Sequence, residues 1–235
     1  MLNFIGIGSA FNTSLGNTSA YIKEGNKMLL IDCGGTVFHK IRSLKLLDDL
    51  LGLYVVITHT HPDHVGSLGD LIFYNYYILK RKVDLIFPEE DKLRTILRGL
   101  GVSDNMYSIN TSKNLNIYMG TSCNINFIPT IHVDTIPSYG FIFKGLRDNF
   151  YYSGDSNSLK YEIIDLLRQG TIDAIYQDTC GLDYPGNGHM SFDKLCSIVP
   201  KELRSKVFCI HQDETLDLNK VRKEGFLLPE PKLRW

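Results

Sequence analysis

The 235-residue sequence predicts an α/β fold arranged as a layered sandwich. Short apolar runs of strand length alternate with amphipathic segments of helical length along most of the chain. Polar side chains capable of chemistry directly follow several of the apolar runs, where a rigid sheet can hold them in place. The sequence has no internal repeat, low-complexity tract or linker, so we expect one domain spanning residues 1–235.

The first half of the chain contains the signals for five strands and three helices. Gly25-Asn26 separates two apolar runs as a hairpin turn would, and Gly34-Gly35 breaks the chain before an amphipathic segment. Pro88 followed by acidic residues is typical of a first helical turn. We predict strands at Leu2–Gly8, Ser19–Glu24, Lys27–Cys33, Leu53–Thr58 and Val83–Phe87, and helices at Val37–Leu47, Val65–Lys82 and Pro88–Leu100.

The second half repeats this alternation of strands and helices. The basic clusters at residues 80–82 and 220–223 are expected to be solvated helix faces. The Tyr-rich segment Leu71–Leu79 is expected to pack in the core, with a dimer surface as the alternative. We predict strands at Leu115–Met119, Asn124–Ile131, Tyr139–Lys144, Phe150–Ser153, Ile172–Tyr176 and Val207–Ile210, and helices at Ser158–Gln169 and Ser191–Ile198.

Composition and charge narrow the class of protein. The hydrophobic content of 43% and the charged content of 22% are ordinary for a globular domain. The formal net charge of -1 provides no general attraction to nucleic acids or anionic membranes. No apolar run approaches the length of a membrane span, and we detect no signal peptide. The five cysteines form no Cys-x-x-Cys motif and indicate reduced thiols, so we expect a cytoplasmic protein.

The strongest chemical signal is the stretch Thr-His-Thr-His-Pro-Asp-His at residues 58–64. It holds three of the seven histidines of the chain and follows an apolar strand. Alternate residues of an extended segment point the same way, so His59 and His61 can reach one metal ion together. Asp63 and His64 come at the turn that follows and can reach a second ion. Imidazole and carboxylate ligands suit zinc, and iron or manganese nearly as well.

Three further metal-capable side chains follow predicted strands. They are His132, Asp155 and His211, each placed where a sheet could hold it rigidly. Each alone is a weak signal, but together with residues 59–64 they complete two near-tetrahedral coordination spheres. We therefore expect two divalent metal ions per chain, with zinc favoured and manganese or iron as alternatives.

The order of these motifs resembles that of the metallo-β-lactamase fold superfamily. The resemblance covers essentially the whole chain, and Leu29–Gly35 looks like the first motif of the superfamily, with Asp32 as its acid. It implies a four-layer αβ/βα sandwich with two zinc ions at the edge of the sheets, and Asp32 orienting ligands or loop amides. The implied ligands are His59, His61 and His132 for one metal, Asp63, His64 and His211 for the other, and Asp155 as the bridge.

Finer features resemble the RNase Z group of phosphodiesterases within that superfamily. The matching segments are Gly16–Ile22, His132–Phe141 and Gly188–Ser191. In that group a histidine in a Gly-His-Ser-type loop, paired with an acid, assists the leaving oxygen, and His189 matches this histidine. Asp178 matches the acid only loosely, because it stands in place of a glutamate. The predicted catalytic residues are therefore His189, Asp178 and Asp63.

One departure from the RNase Z group bears on the substrate. Those enzymes usually carry a long tRNA-gripping arm before the Gly-Asp motif, whereas the connection from His132 to Asp155 is short here. Arm-less relatives include cyclic-phosphate diesterases and the phage and bacterial anti-Pycsar nucleases, which this chain resembles in size and motif layout. The resemblance implies a homodimeric, metal-dependent phosphodiesterase that opens a small phosphodiester, a cyclic mononucleotide above all, by attack of a metal-generated hydroxide.

Three other functions stay open at this point. A tRNA 3′-processing endonuclease would share the motifs but lacks its arm here. A thioester, lactone or β-lactam hydrolase would use the same metals on a carbonyl and leaves the RNase Z-like motifs unexplained. A non-catalytic metal-binding module is the third, although the complete ligand set argues against it. From proximity in sequence, we expect Ser156, Asn157 and Tyr139 to line the substrate pocket.

Overall fold

Two six-stranded sheets packed face to face form the centre of the protein, in a computed structural model that describes residues 2–231. Helices cover the outer face of each sheet, so the layers run helix, sheet, sheet, helix. The predicted α/β four-layer sandwich is therefore confirmed.

The first sheet contains the N-terminal strands in chain order. β1 to β3 pair antiparallel, and β3 to β6 pair parallel. The strands are β1 (Asn3–Gly6), β2 (Ser19–Glu24), β3 (Lys27–Ile31), β4 (Gly52–Val56), β5 (Val83–Ile86) and β6 (Tyr107–Asn110).

The second sheet has the order β12-β11-β10-β9-β8-β7. β7 to β10 pair antiparallel, whereas β10, β11 and β12 run parallel. The strands are β7 (Asn114–Tyr118), β8 (Ser122–Pro129), β9 (Tyr139–Lys144), β10 (Asn149–Tyr152), β11 (Ala174–Asp178) and β12 (Val207–Ile210).

Short helices connect these strands. The α-helices are α1 (Val37–Ser43), α2 (Pro62–Val65), α3 (Leu68–Phe73), α4 (Glu90–Gly99), α5 (Tyr161–Arg168), α6 (Phe192–Ile198) and α7 (Leu218–Lys223). A π-helical turn at Tyr74–Ile78 follows α3. Short 3₁₀ helices lie at Thr13–Leu15, Asp104–Met106 and Lys201–Lys206. Within the described part of the chain, no helix has the length and apolar run needed to cross a membrane.

The hydrophobic core lies between the sheets and beneath the helices. Met28 to Ile31 of β3 are all completely buried, which explains why this strand reads as a continuous apolar run rather than an alternating one. Across the interface between the sheets, the rings of Phe4 and Tyr176 are 5.6 Å apart. On the outer face of the second sheet, α5 and α6 bury Ile163 and Leu195. Both sheets are therefore held rigidly where their strands end at the candidate site.

The long helix predicted at Val65–Lys82 is present but shorter in the structure. Val65 is the last residue of α2, and α3 begins only at Leu68. Between them, the hydroxyl of Ser67 donates to the backbone carbonyl of Gly34 at 2.5 Å. α3 continues directly into the π-helical turn, where the side-chain amide of Asn75 donates to the carbonyl of Leu71 at 2.8 Å, and this turn ends at Ile78.

The elements that were not predicted from the sequence include β6 and α7. β6 is short and partly polar, and it is recognisable only through its parallel pairing with β5. α7 is rich in basic residues and buries only Val221, so it lacks an apolar face. Its Lys220 forms an exposed ion pair with Asp193, in agreement with the expected solvated face.

The Tyr-rich segment Leu71–Leu79 was expected to lie in the core or to form a dimer surface, and its residues differ in exposure. Leu71 and Ile72 are buried in the core, whereas Tyr77 and Ile78 are exposed. Phe73, Tyr74, Tyr76 and Leu79 are partly buried and pack against the core, so most of the segment contributes to it.

Candidate active site

The candidate site lies where the C-terminal ends of parallel strands from both sheets meet. Each strand ends one or a few residues before a polar side chain that faces this edge. In the first sheet, β3 leads to Asp32 and β4 leads to the segment 58–64. In the second sheet, β10 leads to Asp155, β11 ends at Asp178, and β12 leads to His211.

Two of these strand ends carry a side chain on a left-handed backbone. Asp32 has a φ of 58° and His211 a φ of 56°, a region that residues with a side chain seldom adopt. Gly154, which precedes Asp155, has a φ of 56°, and a Cβ there would stand 2.7 Å from the carbonyl oxygen of Tyr139. The sharp turns direct Asp32, Asp155 and His211 toward one point, and such strain is typical of functional sites.

The first ligand group consists of His59, His61, His132 and Asp155. His61 Nδ1 lies 3.0 Å from His59 Nε2 and 3.2 Å from His132 Nε2. Asp155 Oδ2 stands 3.7 Å from His59 Nε2 and 3.8 Å from His132 Nε2. Three imidazole nitrogens and one carboxylate oxygen therefore surround a common point.

The second ligand group consists of Asp63, His64, Asp155 and His211. Asp63 Oδ2 lies 3.3 Å from His64 Nε2 and 3.1 Å from His211 Nε2. Asp155 Oδ1 is 3.2 Å from His64 Nε2, and its Oδ2 is 3.5 Å from His211 Nε2. Asp155 thus belongs to both groups.

These distances fit divalent cations with tetrahedral coordination. With bonds of about 2.0–2.1 Å, the ligand atoms of a tetrahedral zinc site stand about 3.3–3.4 Å apart. Two of the buried atoms, His64 Nε2 and Asp155 Oδ1, lie 3.2 Å apart without the geometry of a hydrogen bond, and neither has another hydrogen-bond partner. Buried polar atoms are rarely left unpaired, and a cation would satisfy both. The residues present therefore fit metal binding.

Hydrogen bonds behind the ligands hold the imidazole rings. Asp32 is fully buried and lies 2.8 Å from His64 Nδ1, which leaves His64 Nε2 facing the second group. His132 Nδ1 donates to the carbonyl of Gly188 at 3.0 Å, which leaves its Nε2 facing the first group. A Cβ at Gly188 would stand 2.9 Å from His132 Nδ1, so glycine permits this contact. Such partners set the tautomer that binds a metal.

Burial and neighbouring charges both shift the pKa values of the site residues, and for several residues the two effects oppose each other. The pKa of His59 lies well below its usual value because the ring is buried next to His64. Burial alone would lower the pKa of His211, but Asp155 and Asp178 raise it to about 10. Burial would raise the pKa of Asp155, but His211 and His64 hold it well below its usual value. The Asp155 carboxylate is thus charged and able to bind a cation.

His189 and Asp178 form a pair beside the two ligand groups. His189 Nδ1 lies 2.7 Å from Asp178 Oδ2, so the pairing that the sequence left undecided is present. Asp178 also accepts from the backbone N–H of Ser156 at 2.9 Å, and its Oδ1 lies 3.4 Å from His211 Nδ1. Burial would lower the pKa of His189, but Asp178 outweighs this effect and raises it. The remaining nitrogen of His189, Nε2, is the one able to exchange a proton with a ligand.

A cavity of about 830 Å³ opens over both ligand groups. Its lining includes His189 and several apolar residues, among them Phe11, Leu182 and Tyr184. Among the described residues, no Lys or Arg lines it. The cavity is therefore of a size for a small molecule and lacks side-chain cations.

The expected pocket positions were wrong, because their side chains face other parts of the protein. Ser156 is completely buried, the amide of Asn157 donates to the Asn187 carbonyl, and the Tyr139 hydroxyl donates to Glu89. The cavity wall comes instead from loops distant in sequence. The sequence holds no periodic pattern or motif that marks these wall residues.

Comparisons with known proteins identify the family. The chain matches the family described as Anti-Pycsar protein Apyc1 over residues 1–228. The Anti-Pycsar protein Apyc1 of Paenibacillus harenae is 28% identical over 244 residues, which cover 100% of this chain and 98% of that protein.

Solved structures with low sequence identity share the fold. The metallo-β-lactamase fold protein YhfI of Bacillus subtilis has a TM-score of 0.73 at 16% identity, covering 99% of this chain and 95% of that chain. Human tRNase Z, short form, has a TM-score of 0.69 at 15% identity, covering 99% and 97%. The family, the fold and the two His/Asp groups confirm the prediction of a metal-dependent hydrolase. Because the match covers residues 1–228 of this chain, the chain belongs to the Anti-Pycsar protein Apyc1 family.

Proposed function

We propose that this protein is a phosphodiesterase that opens a small cyclic diester, a 3′,5′-cyclic mononucleotide, at a centre for two divalent cations. The observation that carries the proposal is a pair of ligand groups sharing Asp155 under a small cavity without side-chain cations. A cyclic mononucleotide carries one negative charge, which two cations can neutralise without help from Lys or Arg. The family name is compatible with such a substrate.

We assign the first cation to three imidazoles and the second to a mixed group, with Asp155 between them. Zinc is favoured because nitrogen donors predominate, and manganese or iron are the alternatives. Bound cations would supply Lewis acidity and lower the pKa of water toward about 7. The proposed ligands are His59, His61 and His132 for the first cation, and Asp63, His64 and His211 for the second.

His189 is the proposed proton donor. Opening the ring breaks one phosphorus–oxygen bond, and the departing ribose oxygen needs a proton. Asp178 holds His189 Nδ1 at 2.7 Å, so Nε2 is the atom that can donate, and His189 lines the cavity. Proton donation by a positioned side chain contributes about 10²–10⁴-fold to a rate. Asp178 also contacts His211, so it positions both the donor and a proposed ligand.

The cavity supports a small substrate over a folded RNA. Binding a large polyanion relies on many Lys and Arg contacts to phosphates, which the described cavity lining lacks. Pockets of about 300–1,000 Å³ are typical for small ligands, and this cavity has about 830 Å³. A tRNA 3′-endonuclease is therefore the less favoured interpretation.

A substrate panel tests the proposal. Metal-loaded protein is offered cyclic mononucleotides, linear dinucleotides, precursor tRNA, a thioester and a β-lactam, and kcat/KM is measured at low and moderate salt. We expect cyclic mononucleotides to be opened to a single monophosphate, with a shallow dependence on salt because few phosphate contacts are made. Efficient 3′ cleavage of precursor tRNA with intact cyclic nucleotides would replace the proposal by the endonuclease function.

A further inference from the structure

Exposed apolar side chains line the cavity that holds the ligand groups, and three of them are more than half exposed. Phe11 is 90% exposed, and Leu182 and Tyr184 are each 55% exposed. All three line the cavity, together with His189 and Asp155. We call these three residues the apolar wall. Exposed aromatic rings that line one cavity are typical of a binding surface.

Both loops of the apolar wall are fastened to the candidate centre. Next to Phe11, the Asn12 side chain donates to the carbonyl of Gln212 at 3.1 Å, directly after the proposed ligand His211. In the other loop, Asn187 donates through its side chain to the Leu182 carbonyl at 3.0 Å. The wall is therefore held at a set position relative to the centre, which lowers the entropic cost of binding.

Asn187 also joins the wall to the proposed proton donor. Its backbone N–H donates to the carbonyl of Tyr184 at 3.1 Å, and its side-chain oxygen accepts from the backbone N–H of His189 at 2.9 Å. One short loop thus presents both Tyr184 and His189 to the same cavity. A ligand whose phosphate meets the centre would extend its other end along this loop.

The apolar character of the wall limits which part of a ligand can bind there. A second phosphate would need cations, and no Lys or Arg of the described residues lines the cavity. A sugar chain would need several polar partners, whereas Phe11, Leu182 and Tyr184 offer mainly carbon surface. A flat heteroaromatic ring matches aromatic side chains, because stacking buries apolar surface and tolerates polar ring edges.

We propose that the apolar wall is the binding subsite for the nucleobase of the substrate, a specificity that rests on the proposed phosphodiesterase function. Phe11 and Tyr184 contact the base faces, and Leu182 packs beside them. The contacts exist in the ground state and in the transition state, so they lower KM and leave kcat unchanged.

The experiment compares a 3′,5′-cyclic mononucleotide with ribose 3′,5′-cyclic phosphate that has no base. For the wild-type protein, we expect kcat/KM to favour the nucleotide by about 5- to 150-fold, the range of base–aromatic stacking. The double variant Phe11→Ala, Tyr184→Ala should lose this preference through a higher KM. Its kcat/KM on the base-free compound should equal that of the wild type.

Two control variants accompany the double variant. Tyr161→Ala removes a tyrosine that is 72% exposed and lies outside the cavity, and it should leave the preference intact. Phe11→Tyr keeps an aromatic ring and should also keep the preference. Thermal unfolding of each variant confirms that it is folded.

The outcomes separate this subsite from the proposed function. If neither compound is hydrolysed, the phosphodiesterase function itself is wrong. If both are hydrolysed and the preference is absent from the wild type, or survives in the double variant, the nucleobase subsite is refuted. A change of oligomeric state in the double variant with an unchanged preference would show that the wall packs against a second copy, and this too refutes the subsite.

Discussion

Replacing Asp32 by asparagine should weaken metal binding at the second ligand group without unfolding the protein. Asp32 is completely buried, and its carboxylate has three hydrogen-bond partners. Oδ1 accepts from the Thr58 backbone N–H at 2.8 Å, and Oδ2 accepts from the Thr58 hydroxyl at 2.7 Å. Oδ2 also lies 2.8 Å from His64 Nδ1. The proposed ligand His64 therefore depends on Asp32 for its protonation pattern.

The amide that the Asp32→Asn substitution introduces would have one favourable orientation. Its oxygen must face the Thr58 N–H, because the amide nitrogen there would place two donors together. The amide nitrogen then faces His64 Nδ1, which must accept. The proton of the neutral imidazole moves to Nε2, the atom that faces Asp63 and Asp155, and a protonated nitrogen cannot bind a metal.

The expected loss is about 10–100-fold in affinity for the second cation, the usual effect of removing a partner behind a ligand. The same figure follows from the loss of one charge-assisted hydrogen bond, about 1.5–3 kcal/mol. Asparagine has the shape of aspartate and tolerates the φ of 58° at this position. The substitution should therefore change metal affinity far more than it changes folding.

A competition titration with a chromogenic chelator measures both binding steps. Asp165→Asn serves as the control, because Asp165 is an exposed partner of Arg168 on α5 and should have no effect. An unchanged affinity for the second cation in a folded Asp32→Asn protein would refute the tautomer argument. Equal weakening of both cations would indicate a general loss of structure at the centre.

Three further predictions concern the same centre. Asp63→Ala should lower metal content from near two ions toward one per chain and abolish turnover, because Asp63 Oδ2 contacts both His64 and His211. Elemental analysis measures the metal content, and circular dichroism shows whether the variant is folded. His189→Ala should leave metal content unchanged and slow hydrolysis of a cyclic nucleotide by about 10²–10⁴-fold. The loss should be smaller on bis-nitrophenyl phosphate, because its leaving group needs no proton. Equal losses on the two substrates would contradict the role of His189 as proton donor. Metal binding at pH 7 should release protons and weaken as the pH falls, because neighbouring carboxylates outweigh burial and raise the pKa of His211 to about 10 and that of His64 well above its usual value. Calorimetry in buffers of different ionisation enthalpy measures this release, and a proton count of zero would contradict it.

The raised pKa values of His64 and His211 also make the free energy of unfolding depend on pH. Their pKa values are raised in the folded, metal-free protein, so they stabilise that state fully below about pH 6.5, the unfolded value. This contribution is lost as the pH rises through about 10, the folded pKa of His211. Bound metal replaces the protons and removes this dependence.

The oligomeric state, the cytoplasmic location and the single domain at residues 1–235 stay predictions from the sequence.

The sequence by itself determined every strand except β6, because each of the others shows as a short apolar run. His59 and His61 alternate on one extended segment, and Asp63 and His64 occupy the turn directly after it. His132, Asp155 and His211 were recognisable because each follows a clear apolar strand. The grouping of these residues into two proposed metal sites came from the resemblance of the motif order to the metallo-β-lactamase fold superfamily.

Only the tertiary structure decided how the centre is completed. The pairing of His189 with Asp178, the contact of Asp32 with His64 and the apolar wall of Phe11, Leu182 and Tyr184 join loops distant in sequence. The break between α2 and α3 at Ser67 and the π-helical turn that contains Asn75 likewise involve side-chain bonds that no periodicity encodes. Hydrophobic periodicity reports which face of a single element is buried, whereas these contacts depend on how separate loops meet, which the packing of the two sheets sets.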